Sequence, residues 1–131
     1  MPPRHWTLEE ANAALPELRQ VVGAMLRARQ RILDARPEVW PVLEKSIGNG
    51  GSRKAGDLIN EFERMKQSTE QVSAMGIHLK DMNTGLVDFL AERDGREIFL
   101  CWRFDEPQVQ FWHELEAGLA GRQPIVGPPE G

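Results

Sequence analysis

The hydrophobic pattern of this chain changes period once, between Met75 and Ile77, and that change limits the folds open to it. Upstream, Leu15, Leu18, Val22, Met25 and Ile32 recur at alternating spacings of three and four, with Arg29 in between. Ala55, Leu58, Phe62, Met65, Thr69 and Val72 repeat the same spacing. Each set is the packing seam of an amphipathic helix. Downstream, apolar and polar residues alternate with period two, which is the signature of strands.

Local signals place the helix ends. Thr7-Leu8-Glu9-Glu10 is a capping box, and Trp6 stands where an apolar residue can staple the first turn. Leu8, Ala11 and Leu15 continue one face. Pro16 is expected to kink this helix or to start a second one, because it lacks a donor and crowds the preceding turn. Arg36 precedes Pro37 and is pushed out of the helical region, which ends the helix. The expected helices cover 7–36 and 53–75, joined as an antiparallel hairpin. In the connector, PEVWPVLEK has room for one or two helical turns, with Trp40 as a cover over the end of the helical core. IGNGGS reads as a flexible loop. Gly76 is the expected stop of the second helix.

Four strands are expected: Ile77–Met82, Leu86–Glu92, Arg96–Arg103 and Val109–Glu114. Asp94-Gly95 is a type I′ hairpin signal, and Asn83-Thr84-Gly85 suits a three-residue hairpin with Gly in the left-handed position. Asp105-Glu106-Pro107-Gln108 supplies the third turn. The fold class is therefore α+β, a helical hairpin packed on a four-stranded antiparallel meander over 77–114. One domain spans 1–131, with an extended arm from Gly118 and a flexible tail at 127–131.

The turns fix a register. Arg93 is set against Arg96, which places Ala91 opposite Ile98, Phe89 opposite Leu100, Val87 opposite Trp102 and Asp88 opposite Cys101. The turn at 83–85 sets Leu79 against Phe89 and Lys80 against Asp88. A four-residue turn after Phe104 sets Trp102 against Phe111, Cys101 against Trp112 and Leu100 against His113. Side chains alternate between faces. Ile77, Leu79, Val87, Phe89, Ala91, Ile98, Leu100, Trp102, Val109 and Phe111 then form a core face, with His113 at its edge. The second face carries a row of Lys80, Asp88, Cys101 and Trp112. It is flanked by His78, Leu90, Phe99 and Glu114 on one side and by Met82, Leu86, Arg103 and Gln110 on the other. A water-facing sheet is mostly polar, so this apolar content calls for a cover. The C-terminal arm, the Trp40 connector and a second copy of the chain are the three candidates.

Composition excludes several classes. A net charge of −4 and a pI near 5.4 argue against nucleic-acid binding, which needs a clustered basic excess. A single Cys excludes an internal disulfide and suits a reducing compartment. No apolar run reaches the ~18 residues of a membrane span. The start MPPRHWTLEEAN lacks the apolar core of a secretory signal, so the cytoplasm is the expected location.

The chemistry-bearing residues lie along the expected strands. Asp88 in an apolar strand must be paired or hydrated, and Lys80 is its expected partner. Cys101 beside a carboxylate is a poor nucleophile, because the neighbouring charge raises its pKa. His113 reads as a satisfied core histidine or as a ligand. His113 and Glu114 form a metal pair only if the chain has left the sheet there, since adjacent strand residues point to opposite faces. On the second face, a metal held by Asp88 and Cys101 has only His78 and Glu114 as further donors. CxxC and HExxH are absent, GNGG lacks the rest of a phosphate loop, and there is no Ser-His-Asp signature.

TLEEANAALPEL, LKDMNTGLVDF, DGREIFLCWRF and FWHELEAGLAGRQPI together resemble a bacterial and archaeal group known as domain of unknown function 2203. The resemblance covers nearly the whole chain. Where the group has Gly-Glu-Pro after the third strand, this chain has Asp105-Glu106-Pro107. The resemblance implies no activity. It implies that Asp88, Cys101, Trp112, His113 and Arg122 belong to the group's pattern.

Two functions follow as expectations. The first is a non-enzymatic interaction or binding module, a homodimer with no nucleic-acid or membrane partner and no cofactor. A small-molecule ligand would be held among Lys80, Asp88, Cys101, Trp112, His113 and Arg122. The alternative is a small enzyme dependent on a ligand or a divalent transition metal, using Asp88, His113, Glu114 and Arg122.

Overall fold

The computed structural model describes residues 4–48 and 58–125. Helix α1 (Leu8–Ala35) begins at the expected capping box: Thr7 Oγ1 accepts from the Glu10 backbone N–H at 3.0 Å, and Glu10 Oε1 accepts from the Thr7 N–H at 2.9 Å. The helix runs on through Pro16, which starts no second helix. Pro16 is exposed, so water can reach the carbonyl it leaves without a partner. A short 3-10 turn (Pro37–Val39) leads into helix α2 (Trp40–Gly48), and α3 (Ile59–Ala74) follows. Helix α2 extends through Ile47 and Gly48, where a loop was expected, because Leu43 and Ile47 are buried in the core. The remaining glycines of that loop, the expected helical turn at 53–57 with Ala55, and the tail at 127–131 lie outside the described residues.

Trp6, just before α1, donates its Nε1–H to the Gly76 carbonyl just after α3, at 3.1 Å. The start of one helix therefore meets the end of the other. Gly76 ends α3 with φ of 79°. Trp40 is buried in the core and donates to Asn83 Oδ1 at 3.0 Å, so it closes the helical layer at the β-turn end. Among the described residues no helix is long and apolar enough to cross a membrane.

Among the described residues the sheet is antiparallel and has five strands in sequence order: β1 (His78–Asp81), β2 (Leu86–Arg93), β3 (Arg96–Arg103), β4 (Phe111–Glu114) and β5 (Gln123–Pro124). The fifth corrects the expected four. The arm after Gly118 returns and pairs with β4, Phe111 opposite Pro124 and Trp112 opposite Gln123. The β2–β3 register is as expected, with Asp88 opposite Cys101 and Phe89 opposite Leu100. Asp94 and Gly95 both take positive φ, 52° and 79°, as a type I′ turn demands.

The other two registers differ. In β1–β2, His78 and not Lys80 faces Asp88, and Leu79 faces Val87. Asp81 then pairs with Leu86, so the register shifts between Leu79 and Asp81. Asp81 Oδ1 accepts from the Asn83 N–H, and the Asp81 carbonyl accepts from the Gly85 N–H, so Asp81 closes the turn at the point where the register shifts. In β3–β4, Phe99 pairs with His113, Leu100 with Trp112 and Cys101 with Phe111. This is one residue away from the expected pairing. A one-residue slip exchanges faces. Trp112 therefore lies in the core, and His113 lies on the side of Asp88 and Cys101.

The cause is the loop between Phe104 and Gln110, which is tied to α1 instead of forming a four-residue turn. Arg19 Nη2 donates to the Glu106 and Pro107 carbonyls at 3.0 and 2.6 Å, and Asn12 Oδ1 accepts from the Val109 N–H at 2.7 Å. Val109 stays in the core while Phe111 leaves it.

Helices and core face enclose Val87, Phe89, Ile98, Leu100 and Trp102. The opposite face is covered as well, since Leu86 to Ala91 are all buried along β2.

A candidate site of Asp88, Cys101 and His113

Three strands contribute one residue each to a polar cluster inside the covered face. Asp88 sits at mid-β2, Cys101 opposite it on β3, and His113 on β4 beyond. Their exposures are 2%, 0% and 3%. One ligand atom from each lies within 4.8 Å of the others. His113 Nε2 is 3.0 Å from Asp88 Oδ2. On the other side of the ring, Nδ1 is 2.7 Å from the Glu114 carbonyl oxygen. A carbonyl oxygen only accepts, so Nδ1 carries the proton and donates it. Nε2 is thereby left to face the carboxylate. Two lone pairs at that distance repel, so the pair requires either a proton or a cation between them.

The second carboxylate oxygen, Asp88 Oδ1, is buried and has no hydrogen-bond partner among the described residues. Buried carboxylate oxygens are costly in that state. Burial first, and the Asp88 charge second, push the Cys101 thiol up to about 12. As it stands, Cys101 is a protonated thiol and no nucleophile.

Aromatic rings wall the cluster. Phe99 packs on His113 with ring centroids 5.6 Å apart, and His78 meets Phe99 edge-on at 5.4 Å. Lys80 Nζ lies 5.1 Å from the Phe99 ring centroid, so Lys80 serves this wall and not Asp88. The C-terminal arm closes another side. The Arg122 guanidinium lies 4.2 Å from the Phe111 ring centroid and donates to the Cys101 carbonyl at 3.3 Å. It is held by a two-pronged pair with Glu106, Nη1 to Oε2 at 2.8 Å and Nη2 to Oε1 at 2.7 Å.

Of the residues singled out from sequence, the structure thus brings together Asp88, Cys101 and His113, with Arg122 against the Cys101 backbone. Trp112 is elsewhere, in the core, with Arg93 4.6 Å from its ring centroid. Glu114 faces the other way and is gripped by Arg96, Nε to Oε1 at 3.1 Å and Nη2 to Oε2 at 2.6 Å. Those hydrogen bonds hold its carboxyl below the usual range. Only its backbone serves His113.

Sequence reasoning missed Glu106. It read as a turn residue, yet its carboxylate fixes Arg122 and accepts from the Arg103 N–H at 2.8 Å, while its carbonyl accepts from Trp102 Nε1 at 2.9 Å. Its place in the Glu-Pro of the family pattern was the available signal. A groove of about 510 Å³ beside α2, α3 and β1 is lined by Glu44, Thr69, Ser73 and Lys80 but by none of the three cluster residues.

No curated protein and no solved structure matches this chain. A family model does, over residues 4–125, which takes in every element described above. The chain belongs to DUF2203, a family of uncharacterized conserved proteins.

Proposed function

We propose that this protein is a non-enzymatic binding module, and that its ligand site is the Asp88–Cys101–His113 cluster. The observation that carries this reading is Asp88 Oδ1, without a hydrogen bond among the described residues, on a carboxylate that is 2% exposed and grouped with a cysteine and a histidine. Among the described residues two buried side-chain polar atoms lack a hydrogen-bond partner, Asp88 Oδ1 and Arg122 Nε, and both belong to residues at this cluster, which is an arrangement that a bound ligand would complete. Burial of all three residues and the raised Cys101 pKa favour binding over covalent chemistry. The homodimer expected from sequence has a weaker motive, since Leu86 and Leu90 are buried within a single chain at 7% and 8% exposure. Sedimentation of the wild type is its test.

Native mass spectrometry tests the binding reading. The folded chain should carry excess mass, as isolated or after exposure to metal ions and small ligands. Asp88→Asn should release that mass. A chain that stays bare under every condition refutes the reading.

A further inference from the structure

Resting on that binding reading, we propose that the ligand is a divalent transition metal ion, held by Asp88, Cys101 and His113 in the manner of zinc or cobalt.

The donor set is the first argument. Thiolate, imidazole and carboxylate together are the ligands of zinc-type ions, whereas magnesium and calcium take oxygen alone. The second is charge. Once binding displaces the thiol proton, an ionised Asp88 and a Cys101 thiolate carry two negative charges, which one divalent ion cancels in a buried setting. A monovalent cation would leave a buried net charge. The third is orientation. His113 donates Nδ1–H to the Glu114 carbonyl at 2.7 Å, which turns the Nε2 lone pair inward. Metal-binding histidines are commonly held this way by their other nitrogen. The fourth is Asp88 Oδ1, which is buried and makes no hydrogen bond among the described residues, with the Cys101 thiol as its neighbouring donor.

The spacing suits the ion after small adjustments, in which the 3.0 Å contact of His113 Nε2 with Asp88 Oδ2 opens slightly and the longer donor separations close. Donor atoms on a tetrahedral zinc stand about 3.3–3.6 Å apart, given bonds of roughly 2.0–2.3 Å. The present atoms lie within 4.8 Å of one another. Binding exchanges protons for metal. Cys101 gives up its thiol proton to solvent, and any proton shared between Asp88 and His113 leaves as well. Arg122, against the Cys101 carbonyl, favours the thiolate by its positive charge. Three donors come from the protein, and water or a small anion takes the fourth place.

Cobalt(II) titration of the full chain, first stripped of metal by a chelator, tests this. We expect one ion per chain, visible bands of tetrahedral cobalt and a near-ultraviolet thiolate-to-cobalt band. The chain has a single cysteine, so that band reports Cys101 without any variant. Zinc should displace the cobalt and bleach the spectrum. Cys101→Ser should abolish the thiolate band, and Asp88→Asn and His113→Gln should weaken binding on the order of 100-fold, with circular dichroism confirming the fold. A folded wild type that binds neither ion, or that binds cobalt without the thiolate band, overturns the proposal. If native mass then reveals another ligand that Asp88→Asn releases, the metal is refuted and the binding module stands. If the chain also stays bare, both fall.

Discussion

His113 on β4 and Asp88 on β2 meet at 3.0 Å across the width of β3, 25 positions apart in sequence and both nearly free of solvent. The strand between them contributes Cys101 to the same pocket. This contact exists only because β4 is paired one residue away from where a short turn would have set it.

Removing one partner should be expensive. Asp88→Ala leaves His113 without its counterpart in a buried setting, and breaking such a pair costs about 3–5 kcal/mol. Denaturant melts of Asp88→Ala, His113→Ala and the double variant measure it. The two single losses should not add. A loss under about 1 kcal/mol for Asp88→Ala would show that the contact does not hold the sheet together.

The Cys101 thiol gives the metal-free protein an alkaline limit. Its pKa is raised from 9.0 to about 12 by burial and by Asp88. The folded state then holds the proton more tightly than the unfolded state. The contribution is fully present below pH 9 and is lost as pH rises from 9 toward 12, on the order of 1 kcal/mol per pH unit. Melts in chelator across that range should show the fall, and Cys101→Ala should flatten it. In the same window, iodoacetamide should modify the native thiol far more slowly than the unfolded one.

The Glu106–Arg122 pair should control the arm. Both side chains are nearly buried, at 11% and 12% exposure. Glu106→Ala frees the guanidinium and takes away the acceptor of the Arg103 N–H. Hydrogen exchange should accelerate across residues 115–125 and at Cys101, with α1 and α3 protected as before. Unchanged exchange in the arm would mean that β5 pairing alone holds it.

Two glycines in the left-handed region should respond differently to Ala. Gly85 has φ of +71°, and an added Cβ would stand 2.7 Å from Val22 Cγ1 and 3.0 Å from Phe104 Cβ. Gly95 has φ of +79°, and an added Cβ there would meet no atom of the described residues within 4 Å. Gly95→Ala should cost about 1 kcal/mol through backbone strain alone, and Gly85→Ala about 2–4 kcal/mol by adding a clash with α1. Equal losses in thermal melts would remove the packing part of this account.

The sequence by itself determined the N-terminal helices, the capping box at Thr7, the stop at Gly76 and the β2–β3 register. Each of these depends on residues a few positions apart: a period of 3.6, a hydroxyl and a carboxylate three residues on, a two-residue Asp-Gly turn. Asp88 opposite Cys101 was legible for that reason. The other half of the site was not. Arg19 and Asn12 on α1 hold the 104–110 loop in a longer path, and no rule of turn length contains those contacts across some 90 residues. They shift β4 by one residue, and a period of two turns that shift into an exchange of faces. Trp112 went into the core and His113 came to Asp88 through that exchange. The arm that closes the cluster was equally out of reach, because Glu106 and Arg122 find each other only after the loop and β5 are in place. Local chemistry thus supplied two of the three cluster residues as neighbours, and long-range packing on α1 supplied the third.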